Sequence, residues 1–295
     1  MGSTVVTRDG TRLHVAVEGP DDAPLTVIFS HGIADRLETW QAQRAALAGS
    51  AMRRVFYDHR GFGRSERGPR RSASIDQLAA DLADVIAATA ADCPVVLVGH
   101  SMGGLTIQAL SAYAPELFGT QVVASVLMAH PIRGDLITLD LPPRIAAQVQ
   151  TRGLTAATLL ARRGQRLRWL HQYVARRALA HGADHELVSE LAERIGANQP
   201  RVLLGYLRAV FAANHTDTLP AVGHARTLVV LGQLDRLINP ATTRLVAAAI
   251  PGAELVEISH SGHMVQLEAP DQVNTVLDNV TTTALAALSD AQSAS

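Results

Sequence analysis

Short apolar runs recur along the chain, separated by longer stretches in which apolar residues return every three or four positions. The runs are Leu25 to Phe29 (LTVIF), Arg54 to Tyr57 (RVFY), Val95 to Val98 (VVLV), Val122 to Met128 (VVASVLM), Leu228 to Leu231 (LVVL) and Glu254 to Ile258 (ELVEI). The middle members are continuously apolar rather than alternating, which is the pattern of strands covered by helices on both faces. A largely parallel central sheet follows, and with it the α/β class. Before these runs, Thr4 to Thr7 and Arg12 to Val17 flank Asp9-Gly10, a strong hairpin signal, so the sheet is expected to open with an antiparallel edge.

Helices are expected between the strands. Ser74-Ile75-Asp76-Gln77 has capping-box spacing, and Leu78, Leu82, Val85 and Ile86 then recur at helical intervals until Cys93-Pro94. Ser101 to Tyr113 and Ala241 to Ala249 read as further crossover helices, and a closing helix is expected from about Pro270 to Leu288. The tail at 291–295 is small and polar and is expected to fray. Between about Pro131 and Pro220 no strand pattern occurs, only helix-like pieces at Leu154 to Ala180 and Glu186 to Ile195, broken by Pro142-Pro143, Gly182 and Pro200. This interval is too long for an ordinary connection. The expected organisation is therefore a core from 1–130 and 221–290, with a helical cap inserted at 131–220.

Composition narrows the function classes. The 295 residues are 47% hydrophobic, ample for one large core, and the formal charge of -1 gives no general attraction to nucleic acid. Arg162, Arg163, Arg166, Arg168, Arg176 and Arg177 do cluster, but they surround an apolar stripe of Leu160, Leu167, Leu170 and Val174, which reads as a solvated helix face. A lone cysteine, Cys93, cannot form an internal disulfide. The N-terminus lacks a basic and then apolar leader, and no run of 18 apolar residues occurs. A cytoplasmic protein without membrane insertion is expected.

The most specific chemical signal is Gly99-His100-Ser101-Met102-Gly103, between the run VVLV and a helical stretch. Glycines two before and two after the serine allow strand and helix to approach closely, and the tight turn lifts Ser101 above the sheet edge. A serine hydroxyl at its free pKa is a poor nucleophile, so a base and a group that orients it are required. Asp235 lies a few residues beyond LVVL, in a loop at the same sheet edge as Ser101, whereas Asp184 and Asp217 fall in the cap interval. For the base, the loop Ser259-His260-Ser261-Gly262-His263 offers two histidines, and the flexible backbone at Gly262 favours His263. The oxyanion donors expected are the backbone N–H of Met102 and that of Ile33, in the loop Ser30-His31-Gly32-Ile33. His31 reads as a loop-shaping histidine. Asp58 and Arg60, in the glycine-containing loop Asp58 to Ser65, read as a structural pair.

These motifs, with DHRGFGRS at Asp58 to Ser65, GQLDRLINP at Gly232 to Pro240 and SGHMVQLEAP at Ser261 to Pro270, make the chain resemble the α/β-hydrolase superfamily. The similarity is to its cap-bearing serine esterases, lipases and cofactor-free haloperoxidase-like enzymes, and covers about residues 1–290. It implies Ser101 as nucleophile, Asp235 as acid, His263 as base, oxyanion donors at Ile33 and Met102, and neither metal nor cofactor. It also implies a histidine followed by an E-x-P, here Glu268 to Pro270. A serine at the elbow separates the chain from epoxide hydrolases and haloalkane dehalogenases, which carry aspartate there. The expected partner is a small-molecule ester or thioester, and self-association into a homo-oligomer stays open. Hydrolysis of a small or medium carboxylic ester leads. Thioesterase, C–C hydrolase, acyltransferase and tailoring activities on the same residues, and a catalytically silent binding protein, are the alternatives. The apolar cap residues Leu136, Ile137, Leu139, Leu141, Leu154, Leu159, Trp169, Tyr206 and Phe211 are candidates either for a substrate pocket or for the cap's own core.

Overall fold

A computed structural model describes residues 2–69, 72–134 and 168–293. Eight strands form one sheet: β1 (Ser3–Val6), β2 (Arg12–Glu18), β3 (Thr26–Ser30), β4 (Arg53–Tyr57), β5 (Val95–His100), β6 (Val122–Met128), β7 (Arg226–Gly232) and β8 (Glu254–Ile258). Their spatial order is β1-β2-β4-β3-β5-β6-β7-β8. β2 runs antiparallel to both β1 and β4, and all later neighbours are parallel. Each apolar run thus becomes a strand, and the Asp9-Gly10 turn joins the antiparallel edge pair. Gly10 has φ 84°, the left-handed conformation such a turn asks of one residue.

The crossover helices cover both faces. On one side α2 (Ile75–Ala90) and α3 (Met102–Tyr113) pack Leu78, Leu82, Ile107 and Leu110 against Ile28, Val55, Leu97 and Leu127. On the other, α1 (Gln41–Ala46) and the closing helix flank a second core of Phe29, Trp40, Phe56, Val98, Val126, Val230, Val273 and Leu277. Strand residues of alternating parity feed the two cores, which is why the central runs are apolar throughout. At the start of α2 the Ser74 hydroxyl accepts the Gln77 N–H at 3.0 Å, but the Gln77 side chain turns to Asp81. Half of the expected capping box forms.

Between β6 and β7 the described residues hold α4 (Arg168–Ala178), α5 (His185–Gly196), α6 (Pro200–Ala212) and the one-turn α7 (Leu219–Val222). The sequence pattern had not separated α6, which starts at Pro200: a proline that reads as a breaker is well suited to a first helical turn. The expected helix from Leu154 lies outside the described residues before Arg168, as do Leu136, Ile137, Leu139, Leu141, Leu154, Leu159 and the arginines at 162, 163 and 166. After β7 come α8 (Pro240–Ala249), β8, the short α9 (Val265–Glu268) and α10 (Pro270–Ser293). The helix thus reaches Ser293, inside the tail expected to fray, and residues 294–295 lie outside the described residues. Its small polar residues, SDAQS, continue to repeat main-chain helical bonding, and Ser293 Oγ donates to Ser289 O at 2.9 Å.

Candidate active site

β5 ends at His100 and α3 begins at Met102, so Ser101 occupies the turn alone, with φ 53° and ψ −114°. A non-glycine residue there is strained by about 1–3 kcal/mol, which the surrounding packing has to hold. The glycines show how it is held. A Cβ on Gly99 would lie 2.7 Å from the Gly103 carbonyl, and one on Gly103 would collide with the backbone oxygen of Ser30. Strand, helix and the loop after β3 therefore meet backbone to backbone around the serine.

The parallel register of β7 and β8 pairs Gly232 with Ile258, so the loops that leave both strands emerge side by side at the edge occupied by Ser101. There His263 Nε2 lies 3.0 Å from Ser101 Oγ and Nδ1 lies 2.8 Å from Asp235 Oδ2. Asp235 Oδ1 accepts the N–H groups of Leu237 and Ile238, each at 2.8 Å, which locks the carboxylate with Oδ2 toward the ring. An ionised carboxylate only accepts, so Nδ1 carries the imidazole proton and Nε2 presents a lone pair to the serine hydroxyl. All three side chains are buried: Ser101 is 9% exposed, Asp235 8% and His263 5%. The rival His260 is exposed, in a turn with φ 62°. Asp184 instead caps α5, accepting from Glu186 N, and Asp217 lies in a 3-10 turn.

The loop after β3 comes close to Ser101 at Gly32. A Cβ there would sit 3.3 Å from Ser101 Cβ and 3.0 Å from His100 Nδ1, so no side chain fits without displacing them. Among the described residues, neither the Ile33 nor the Met102 N–H bonds to a protein acceptor. Met102 opens α3, whose helix dipole places partial positive charge beside Ser101. The carbonyl of Gly32 is held by His31 Nδ1 at 2.7 Å, while His31 Nε2 accepts the His59 N–H at 3.0 Å. His31 is thus a neutral, doubly engaged histidine that sets the peptide before Ile33. His59 lies 2.9 Å from Ser30 Oγ, and burial holds its pKa well below the ordinary histidine value.

His100, the residue before Ser101, donates from Nε2 to the main-chain oxygen of His263 at 2.9 Å. Burial, and then the nearby His263, push its pKa well down, so this second ring does not add charge beside the first. Sequence reasoning passed over His100 because its partner is a backbone atom 163 residues away. One expectation needs correction. Asp58 and Arg60 do not pair with each other: Asp58 accepts the N–H groups of Leu37 and Arg64, whereas the fully buried Arg60 bonds Asp81, with Nε to Oδ2 at 2.5 Å, and Asp9 at 2.7 Å. Of the two charged residues on this loop, Asp58 holds its backbone and Arg60 reaches α2 and the β1–β2 turn.

Of the apolar candidates for a pocket, Tyr206 is buried against Phe62, at 5.1 Å between ring centroids, while Trp169 is 53% exposed. Tyr206 also borders a cleft of about 860 Å³ between Arg67, Pro69 and residues 72–76 on one side and α6 on the other, whose lining includes none of Ser101, Asp235 and His263. Among the described residues no group of three or more His, Cys, Asp or Glu side chains is placed to hold a metal ion, and no helix is long and apolar enough to cross a membrane.

A mostly parallel eight-stranded sheet with a serine at the strand-to-helix elbow and a histidine and an acid in later loops defines an α/β-fold hydrolase. The chain belongs to the alpha/beta hydrolase family, whose model matches residues 27–276. It is similar to a pimeloyl-(acyl-carrier protein) methyl ester esterase of Stenotrophomonas maltophilia, 32% identical over 193 residues that span 65% of this chain and 71% of the relative. Among solved structures it resembles the enol-lactonase of Burkholderia xenovorans LB400, with TM-score 0.75 and 25% identity over 95% of this chain and 100% of the other. It also resembles Est816, described as an N-acyl homoserine lactone degrading enzyme, with TM-score 0.75 and 26% identity over 94% and 99% of the two chains.

Proposed function

We propose that the protein hydrolyses a carboxylic ester of a small or medium apolar substrate, with Ser101 as nucleophile, His263 as general base and acid, and Asp235 as the group that orients it. The observation that carries this reading is the continuous link from Ser101 Oγ through both ring nitrogens of His263 to Asp235, at 3.0 and 2.8 Å. In the first step Oγ attacks the ester carbonyl as its proton passes to Nε2, and Asp235 stabilises the imidazolium. The oxyanion is received by the N–H groups of Ile33 and Met102, which are free of protein acceptors among the described residues. The C–O bond then breaks, the alcohol leaves with the proton from His263, and an acyl-serine remains. Water, deprotonated by the same ring, attacks that ester, and the acid is released with Ser101 restored.

The ester class draws support from the relatives, which are named for a methyl ester and for lactones. Lactones are cyclic esters, opened by the same two steps. In this reading, residues 131–220 serve as a cap over the elbow edge of the core at 1–130 and 221–290. A fluorophosphonate probe tests the nucleophile: labelling of the wild type at Ser101, abolished in Ser101→Ala, is expected. An unlabelled wild type, or labelling that survives Ser101→Ala, refutes it. A product-detected screen of straight-chain esters, lactones and acyl thioesters then assigns the substrate class, and turnover of thioesters alone would replace the ester reading.

A further inference from the structure

Within the segment between β6 and β7, the C-terminal end of α4 grips the loops that carry the base and the acid. α4 ends at Ala178, and the last carbonyls of any helix lack partners within it. Here the loops supply them. The Ala178 oxygen accepts the N–H of His263 at 2.9 Å and that of Met264 at 3.3 Å. Arg236, the residue after Asp235, donates to the oxygens of Arg176 and Leu179, the latter at 2.9 Å, and its own carbonyl accepts from Arg177 Nη2 at 2.9 Å. A guanidinium at a helix C-terminus also meets the favourable end of the dipole.

Glu268 closes the grip from the other side. Its Oε1 accepts the N–H groups of Gly262 and Met264, both at 3.1 Å, and these two residues flank His263. Its Oε2 accepts the N–H of Ala180, two residues beyond α4, at 2.6 Å. One carboxylate therefore joins the base loop to the segment between β6 and β7. Burial raises the carboxyl's pKa, and the three N–H groups oppose that shift. Gly262 has no room for a side chain, because a Cβ would lie 2.5 Å from Ala180 N and 2.7 Å from the Leu179 carbonyl carbon. Met264 and Leu237, neighbours of the base and the acid, complete an apolar cluster with Ala175, Leu179, Val188 and Leu191 of this segment.

We propose that Glu268 is a positioning residue for His263, holding the base loop against the end of α4 so that the inserted segment sets the direction of the imidazole. The inference rests on the reading of Ser101 and His263 given above. The hydrogen bonds of Glu268 all go to main-chain N–H groups and none to the His263 ring, so its effect falls on the alignment of Nε2 with Oγ and not on substrate contacts. In the full-length protein, Glu268→Ala should label with a fluorophosphonate roughly 10- to 100-fold more slowly than the wild type, the loss expected when a reacting group is displaced by about 1 Å. On an ester substrate the loss should appear in kcat with KM unchanged. Glu268→Gln keeps one oxygen for Gly262 and Met264 but turns an amide NH₂ toward Ala180, and should recover part of the rate. Gly262→Ala, which pushes the two elements apart with the carboxylate intact, should reproduce the kcat loss. It also carries the test if Glu268→Ala fails to fold by circular dichroism. Wild-type labelling rates in folded Glu268→Ala and in Gly262→Ala, or losses confined to KM, overturn the proposal. A wild type that does not label at all refutes the nucleophile instead, so the two failures are distinct.

Discussion

Asp235→Asn should disable the site without unfolding it, because the direction of the new amide is dictated by its neighbours. The two N–H groups of Leu237 and Ile238 need an acceptor where Oδ1 now sits, at 2.8 Å from each. The Asn oxygen takes that place and its NH₂ faces His263 Nδ1. That nitrogen must then accept, the ring proton moves to Nε2, and Nε2 can no longer take the proton of Ser101. Reaching the competent tautomer requires the amide to flip, which leaves two N–H groups unpaired. At about 1–3 kcal/mol for each, the penalty is roughly 2–6 kcal/mol, equivalent to a fall in kcat of about 30-fold to 10⁴-fold. The upper part of this range is the loss of about 10⁴-fold known for a wrong-tautomer triad in a serine protease. Initial rates on an activated ester give kcat, and ¹⁵N chemical shifts of His263 identify the protonated nitrogen. A kcat within tenfold of wild type, or a ring still protonated at Nδ1, would refute the reasoning.

Three further outcomes follow from packing and charge. Gly103→Ala should lower stability by about 1–3 kcal/mol even though alanine favours helices, because its Cβ meets the Ser30 oxygen; an unchanged or higher urea midpoint would contradict the close approach. Asp81→Ala should cost about 3–5 kcal/mol by leaving the buried Arg60 with Asp9 alone, while the double change Arg60→Met with Asp81→Leu should cost less, as compared by thermal melts. The exposed Glu257 should titrate near pH 2 by NMR, held down by the hydrogen bonds from Arg244 and then Gln233, and Arg244→Ala should return it toward 4.5. Since this folded value lies below the unfolded one, the pair's contribution is complete above pH 4.5 and fades as the pH falls toward 2.

The strands, their parallel arrangement and the serine elbow were legible in the chain itself, because each depends on local rules. A buried strand such as VVLV has to be apolar on both faces, and a strand-to-helix turn around Ser101 requires glycines at fixed distances. Position along the chain also narrowed the candidate acid to Asp235 and the candidate base to one short loop. The choice between His260 and His263 rested on the Gly262 backbone and on the resemblance, and the fold places the His263 ring inside, between Ser101 and Asp235, and the His260 ring in solvent. The partners of Asp58, Arg60 and His100 were out of reach for the same reason. A hydrogen bond between residues 60 and 81, or 100 and 263, leaves no periodic mark, because it is made by elements that meet only after the sheet has formed. Glu268 shows the limit most clearly: in the chain it is an acid before a proline, and only the return of α4 to the loop after β8 adds the distant Ala180 N–H to the two that Gly262 and Met264 supply locally. Local sequence determines what each element is, and the register and stacking of distant elements decide which side chains share a hydrogen bond.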